Sequence, residues 1–373
     1  MPAQRNAVIV VGGIAGLASA VALHRAGWNI TVLERSATVG EVGAGITMMQ
    51  NALRALEALG VGDAVLRAGR VELGVGTRTP TGKWLMRLDS AELADRFNTA
   101  TLGIHRATLH QVLESALPGD VLRTGAEVFE VSPGTADELA EVRWVEAGRE
   151  QVTEAELVVA ADGLNSRTRS DLWPDAPTPA YIGSTAWRAV TTSASATEPT
   201  ASITWGPGAE FGVFPLGDGR TYWYGAIKAP AQQRSADELA EVSRHFATWH
   251  PPIPDLLAAT DPTLVLRHDL YGLPAPLDSY VRQRVALVGD AAHACRPTWV
   301  KERARPWRTP SSSVCARGHG KPWTLCADTT MNADPGPNVS PVPLSRSADM
   351  DNNSPTRPPS RCETRCCDVF HRS

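Results

Sequence analysis

The chain is punctuated by short apolar runs, each closed by glycine or an acid. Residues 7–11, Ala-Val-Ile-Val-Val, are apolar and β-branched, the pattern of a strand buried on both faces. Gly12-Gly13-Ile14-Ala15-Gly16 hands this strand to a helix carrying Leu17, Ala20, Val21, Ala22 and Leu23, with Gly27 as its stop. Residues 28–33 read as a second strand ending at Glu34, so the N-terminus predicts a complete βαβ unit. Leu53, Leu56 and Leu59 share one face of a helix over 51–59, closed by Gly60. Leu109, Val112, Leu113 and Ala116 do the same over 106–117, closed by Pro118-Gly119. Short strands are predicted at 122–124 and 126–131 around a turn. Buried strands are predicted at 155–161, before Asp162-Gly163, and at 285–288, before Gly289-Asp290.

From about residue 173 the period changes. Trp187, Trp205, Phe211, Phe214, Tyr222, Trp223 and Tyr224 sit in short alternating runs separated by Gly206-Pro207-Gly208 and Gly217-Asp218-Gly219. That predicts antiparallel sheet joined by tight turns. The expected class is α/β: a Rossmann-like nucleotide-binding domain with an inserted antiparallel β-sheet domain, which the family resemblance given below implies is the substrate domain. The boundaries read as 1–172 for the first part of the nucleotide domain, with excursions to the inserted one allowed. The mainly antiparallel domain is 173–280, the return is 281–298, and 299–373 is a tail. The string ADELAEV occurs at Ala136 and again at Ala236, which is too little for a repeat architecture.

Composition adds exclusions. A net charge of −4 with 43% hydrophobic and 20% charged residues excludes collagen-like, mucin-like and wholly disordered chains. It gives no support to nucleic-acid binding, which shows as a basic excess. There is no apolar run of about eighteen residues and no signal-peptide pattern, so no membrane span and a cytoplasmic location are expected. All six cysteines lie from Cys295 onward, which excludes a disulfide scaffold. Neither HExxH nor a Cys/His ligand spacing occurs, so no protein metal site is expected.

The candidate chemistry begins at the glycine turn. A diphosphate needs backbone N–H groups at a helix N-terminus, and glycines allow the turn and the close approach. An acid at the end of the second strand then meets ribose hydroxyls. Glu34 stands 21 residues after Gly13, in that place. One position departs from GxGxxG. With Gly13 and Gly16 as second and third glycines, the first is Val11. A β-branched residue resists positive φ, which predicts a shifted local backbone or a weaker site. The fingerprint alone does not choose between NAD and FAD, and the bland alternative is a glycine turn that binds nothing.

Three separated segments make the choice: the fingerprint with Glu34-Arg35, the string 161–167 (ADGLNSR), and Gly289-Asp290-Ala291-Ala292-His293. Gly43-Ala44-Gly45-Ile46 and the helix-leading Arg106 are weaker matches. Together, over about residues 5–298, the sequence resembles the flavin-dependent aromatic hydroxylases, the group A monooxygenases typified by p-hydroxybenzoate and salicylate hydroxylase. The resemblance implies FAD held by Gly13, Ala15, Gly16, Glu34, Arg35, Gly45, Ile46, Arg106, Asp162 and Asp290. In it Glu34 takes the adenosine ribose and Arg106 grips the pyrophosphate bidentately. Gly45 and Ile46 lie near the isoalloxazine. Asp162 serves FAD and nicotinamide handling, and Asp290 bonds a ribitol hydroxyl. It further implies NAD(P)H as electron donor, with a small aromatic substrate and O2 as partners. Oxygen transfer would run through a flavin C4a-hydroperoxide. Arg188 has no assigned role and reads as structural or solvent-facing, and His293 as capping or packing. The catalytic base is not identified. The alternatives are another flavin-dependent oxidoreductase or halogenase, or a truncated flavoprotein without turnover.

The resemblance breaks after Pro297. The family continues into a glycine-rich loop and a helix, whereas residues 299–313 carry Pro306 and Pro310 and no glycine. Starting one base early, on the last base of the Trp299 codon, synonymous codons permit the string GQGARAAMEDAVVV, which restores the family's loop and helix. This predicts a frameshift near 297–300. The 75 residues from Trp299 hold ten of the 28 prolines and five of the six cysteines, and the segment is expected to be unpacked. Its replacement of the loop and helix is expected to weaken or abolish FAD binding.

Overall fold

The computed structural model describes residues 5–38, 44–72, 74–89, 101–191 and 201–294. The frameshift reading and the whole 299–373 tail lie outside them.

The chain enters through β1 (Asn6–Val10), α1 (Ile14–Arg25) and β2 (Asn29–Glu34). Almost every side chain of α1 from Ile14 to Leu23 is buried, so small residues suit it. Gly27 ends it at φ +82°, a conformation glycine adopts at little cost. β3 (Gly45–Met48), α2 (Gln50–Ala58), α3 (Gly62–Ala68), β4 (Arg70–Glu72), β5 (Gly74–Arg78) and β6 (Trp84–Asp89) follow. Next come β7 (Thr101–His105), α4 (Arg106–Glu114), β8 (Leu122–Thr124), β9 (Ala126–Ser132), β10 (Ala140–Glu146), β11 (Arg149–Ala155), β12 (Leu157–Ala160) and α5 (Arg167–Leu172). The inserted region holds β13 (Ala180–Val190), β14 (Ser202–Gly206), β15 (Ala209–Pro215), β16 (Thr221–Lys228), α6 (Glu238–Phe246), α7 (Ile253–Ala258) and β17 (Leu266–Gly272). The chain returns through β18 (Val281–Arg282), β19 (Val285–Leu287) and the short α8 (Asp290–His293).

The expected α/β class is borne out. A six-stranded sheet runs β18-β19-β12-β1-β2-β8, with all pairs parallel except β18 against β19. One of its faces packs on α1, α2 and α4 through Ile9, Leu17, Val32, Leu56 and Leu109, and the other on the β9–β11 meander through Val8, Val158 and Trp144. The strands at 122–124 and 126–132 do not pair with each other across Gly125. β8 joins the parallel sheet and β9 the meander.

A seven-stranded sheet runs β17-β13-β16-β15-β14-β5-β6. Its core is antiparallel, but β14 and β5 pair in parallel, which brings residues 74–89 into it. One face is closed by α6 and α7 over Trp187, Phe211, Trp223 and Phe246. Because side chains alternate along a strand, Glu210, Gly212, Phe214, Tyr222, Tyr224 and Arg188 share the opposite face. A small antiparallel sheet, β3-β7-β4, is built from strands that flank β5 and β6 in the chain. No helix among the described residues is long and apolar enough to cross a membrane.

Candidate active site

The parallel order sets the carboxyl ends of β2, β1, β12 and β19 side by side, and at or just beyond them stand Gly13, Ala15, Gly16, Glu34, Arg35, Asp162 and Asp290; Gly45, Ile46 and Arg106 come from β3 and α4. The glycine turn follows β1. Val11 takes φ +76° itself, so the backbone keeps the glycine-like turn and the side chain bears the strain. Its N–H donates to Leu33 O at 2.9 Å. A Cβ on Gly16 would sit 2.1 Å from the Val11 carbonyl oxygen, so only glycine lets α1 start this close to β1. A Cβ on Gly13 would meet nothing within 4 Å, which leaves backbone open to an approaching group. Gly13 caps α1 in an extended conformation without a side-chain hydrogen bond, so the N–H groups of the first turn point outward uncapped by any side chain.

Glu34 is buried at the end of β2 and spans two loops. Its Oε2 accepts from Gly12 N–H at 2.9 Å and its Oε1 from Ser36 N–H at 2.8 Å. Each carboxylate oxygen keeps further acceptor capacity for hydroxyl donors. Arg35 is exposed and, with Val11, Val128, Asp162 and Arg167, lines a cleft of about 410 Å³.

Arg106 is the exposed first residue of α4, and its N–H donates to Ala44 O at 3.0 Å. The His105 ring caps this helix by accepting from Ala107 N–H at 3.3 Å. One turn on, His110 Nε2 is 2.7 Å from Gly12 O. Arg106 therefore shares a helix face with a residue anchored on the glycine turn. His110 was not singled out from sequence; its spacing of four from Arg106 was the available signal.

The other two segments converge on the same place. Gly289 has φ +58°, and a Cβ there would lie 2.7 Å from the Ala15 Cβ, so the turn leading into Asp290 packs on the first turn of α1. Asp290 itself is exposed. Asp162 folds its own loop, accepting from Ser166 Oγ at 2.6 Å and Thr168 N–H at 3.0 Å. Ser166 caps α5 by accepting from Arg169 N–H. Arg169 is 2% exposed; its guanidinium donates to Leu164 O at 2.6 Å and to Ala291 O at 2.9 Å. This residue, just past the 161–167 string, ties the Asp162 loop to α8. His293 packs edge-on against Tyr280, as expected of a packing residue.

Gly45 and Ile46 form the start of β3, in register with His105 and Ile104. A Cβ on Gly45 would be 2.4 Å from the Tyr222 ring, so the seven-stranded sheet touches this loop through Tyr222. Tyr222, Phe214 and Tyr224 form a ladder with centroids 6.2–6.4 Å apart. Burial pushes both tyrosine hydroxyls up, opposed by Arg188 on the neighbouring strand. The face next to the Gly45 loop is thus aromatic, dry and polar only at chosen points, a setting suited to a flat apolar ring.

These features fit FAD. The glycine turn admits a close approach, the first turn of α1 carries no side-chain cap, and the Glu34 carboxylate at the end of β2 keeps acceptor capacity for hydroxyl groups. The family described as "FAD binding domain" matches residues 5–300. The chain is 37% identical over 295 residues to the aurachin C monooxygenase/isomerase of Stigmatella aurantiaca, covering 78% of this chain and 74% of that protein. It is 29% identical over 297 residues to an FAD-dependent urate hydroxylase of Klebsiella pneumoniae (78% and 76% covered). It is also 29% identical over 296 residues to the 2-heptyl-3-hydroxy-4(1H)-quinolone synthase of Pseudomonas aeruginosa (78% and 75% covered). The fold matches the Klebsiella pneumoniae HpxO structure with FAD and uric acid at a TM-score of 0.72 and 27% identity, covering 80% of this chain and 75% of that one.

Proposed function

The chain belongs to the FAD-binding family of flavin-dependent monooxygenases, and from that premise we propose that it hydroxylates a small nitrogen-containing aromatic compound held along the tyrosine ladder beside the Gly45 loop. FAD and NAD(P)H are the family's cofactors; bound FAD supplies hydride acceptance from NAD(P)H and activation of O2. The protein's share is binding, orientation and exclusion of water. In this reading Gly13, Ala15, Gly16 and Arg106 hold the pyrophosphate, Glu34 the adenosine ribose, and Arg35 the adenine side of the cleft. Asp290 meets the ribitol, Gly45 and Ile46 border the ring system, and Asp162 shapes the loop beside it. The curated relatives named for urate and a 4(1H)-quinolone support a ring bearing N–H groups.

The single observation that carries this reading is the contact of Tyr222 with Gly45, which sets an aromatic face against the flavin loop. The test is to purify the full chain, add FAD and follow NAD(P)H oxidation with and without urate or 4(1H)-quinolone. A yellow protein whose NAD(P)H oxidation rises on adding the aromatic compound is expected. A chain that stays colourless after added FAD, both as it stands and with the reading frame restored before Trp299, would contradict the proposal.

The residues from 299 onward are, in the same proposal, translated out of frame, since the family match stops at residue 300. Resequencing the gene decides this: a base missing or added near the Trp299 codon is expected, and clean reads of the present frame would overturn it.

A further inference from the structure

Glu210 lies on the substrate-facing side of β15, four residues before Phe214, or about 13 Å further along the strand. It is 1% exposed. Tyr224, on the neighbouring strand, lies flat across Gly212, where a Cβ would be 2.1 Å from its ring, and its hydroxyl donates to Glu210 Oε1. The glycine is what lets the tyrosine reach the carboxyl. Glu210 Oε2 is buried and meets no donor at hydrogen-bond distance; the nearest candidate is the Trp205 side chain, paired opposite Glu210 on β14. A lone carboxylate oxygen in a dry site is costly unless a donor meets it. The rings of Tyr222, Phe214 and Tyr224 run without a break from the Gly45 loop to the Glu210 carboxyl, which Tyr224 meets at Oε1.

We infer that Glu210 is the group that recognises and deprotonates the substrate, its free Oε2 accepting a ring N–H or O–H of a heteroaromatic compound lying along the tyrosine ladder. This rests on the monooxygenase reading and adds to it the acid–base residue and the required substrate feature. In the step, the N–H or O–H bond breaks and its proton forms an O–H bond on Oε2. The electron pair stays with the ring, which raises electron density at the carbon to be hydroxylated. Tyr224 continues to donate to Oε1 throughout, and the proton later passes from Glu210 to water. No oxidant or reductant takes part. Burial raises the Glu210 carboxyl to about 7, against the lowering effect of Tyr224 and of the Trp205 side chain on β14, which places its titration where a base is useful. The other titratable or charged groups on this face are Tyr222 and Lys228 on β16, Arg188 on β13 and His268 on β17.

The test uses the full chain loaded with FAD, with 4(1H)-quinolone and its N-methyl derivative as probes. Binding is read from the flavin absorbance across the pH range around neutrality. The N–H probe is expected to bind about tenfold tighter on the alkaline side of the Glu210 titration, a difference of about 1.4 kcal/mol. Glu210→Gln removes that step and weakens N–H probe binding about tenfold at alkaline pH. The N-methyl probe is expected to show no step and no effect of the variant. Tyr224→Phe keeps the carboxyl but removes its donor, and moves the step to higher pH. A Glu210→Gln protein that retains FAD and binds the N–H probe with the wild-type pH profile overturns the inference, as does an unmoved step in Tyr224→Phe. Either result leaves the monooxygenase reading standing, because FAD retention and aromatic-stimulated NAD(P)H oxidation in the wild type test that separately.

Discussion

Val11 holds φ +76° where most nucleotide fingerprints place glycine. An L-residue in that region costs about 1–2 kcal/mol, and a glycine there gives back about 0.5–1 kcal/mol through its freer unfolded chain. Val11→Gly is therefore expected to stabilise the protein by about 0.5–1 kcal/mol, read as a higher urea midpoint with an unchanged slope. An unchanged or lower midpoint would show that the valine side chain contributes packing that offsets its strain. The departure at this position was legible in the sequence; its resolution was not. Strain confined to one residue and displacement of the whole turn give the same sequence, and only the Leu33 hydrogen bond and the Gly16 approach fix the choice. Glu210 was not legible at all. Its environment depends on the register that sets Gly212 against Tyr224, and no local spacing announces that pair.

At the scale of elements, the heptapeptide ADELAEV supplies a control within one chain. At Ala136 its last three residues open β10, and at Ala236 its last five open α6. Intrinsic propensity cannot separate identical strings, so their flanks and tertiary partners must. The second copy follows Ser235, whose N–H donates to Glu238, while Asp237 caps the helix by accepting from Ala240 N–H at 2.9 Å. Glu238 is further held by the Trp187 indole at 2.8 Å. The first copy follows Gly134 at φ +66° and leads into Arg143-Trp144-Val145, with Trp144 buried against the parallel sheet. Asp237→Ala is expected to cost about 1 kcal/mol by removing the cap, whereas Asp137→Ala should change stability by much less. Equal effects at the two sites would contradict the capping account. The βαβ unit and the strands leading to Asp162 and Asp290 were readable because their periods are local. The assembly of β5 and β6 into the seven-stranded sheet was not, because it rests on a long-range parallel pairing.

Across the whole molecule, segments more than a hundred residues apart meet at one end of the parallel sheet, and Arg169 is the side chain that ties two of them. Its guanidinium bridges the Asp162 loop and α8 through Leu164 O and Ala291 O. Hydrogen bonds from charged donors are worth about 1.5–3 kcal/mol each, and both carbonyls would lose a partner. Arg169→Met is expected to destabilise the protein by about 3 kcal/mol and to lower FAD retention, checked by denaturant melts and by flavin content after gel filtration. Wild-type retention would mean that the two loops are positioned independently. In the proposed function this convergence, with the tyrosine ladder beside the Gly45 loop, directs oxygen from O2 onto an aromatic ring. The most direct measurement supplies the FAD-loaded chain with NAD(P)H, 4(1H)-quinolone and dioxygen labelled with heavy oxygen, and weighs the product by mass spectrometry. One labelled oxygen atom is expected in the ring product. A product whose new oxygen comes from water, or NAD(P)H oxidation that yields only labelled hydrogen peroxide with every aromatic tried, would contradict it.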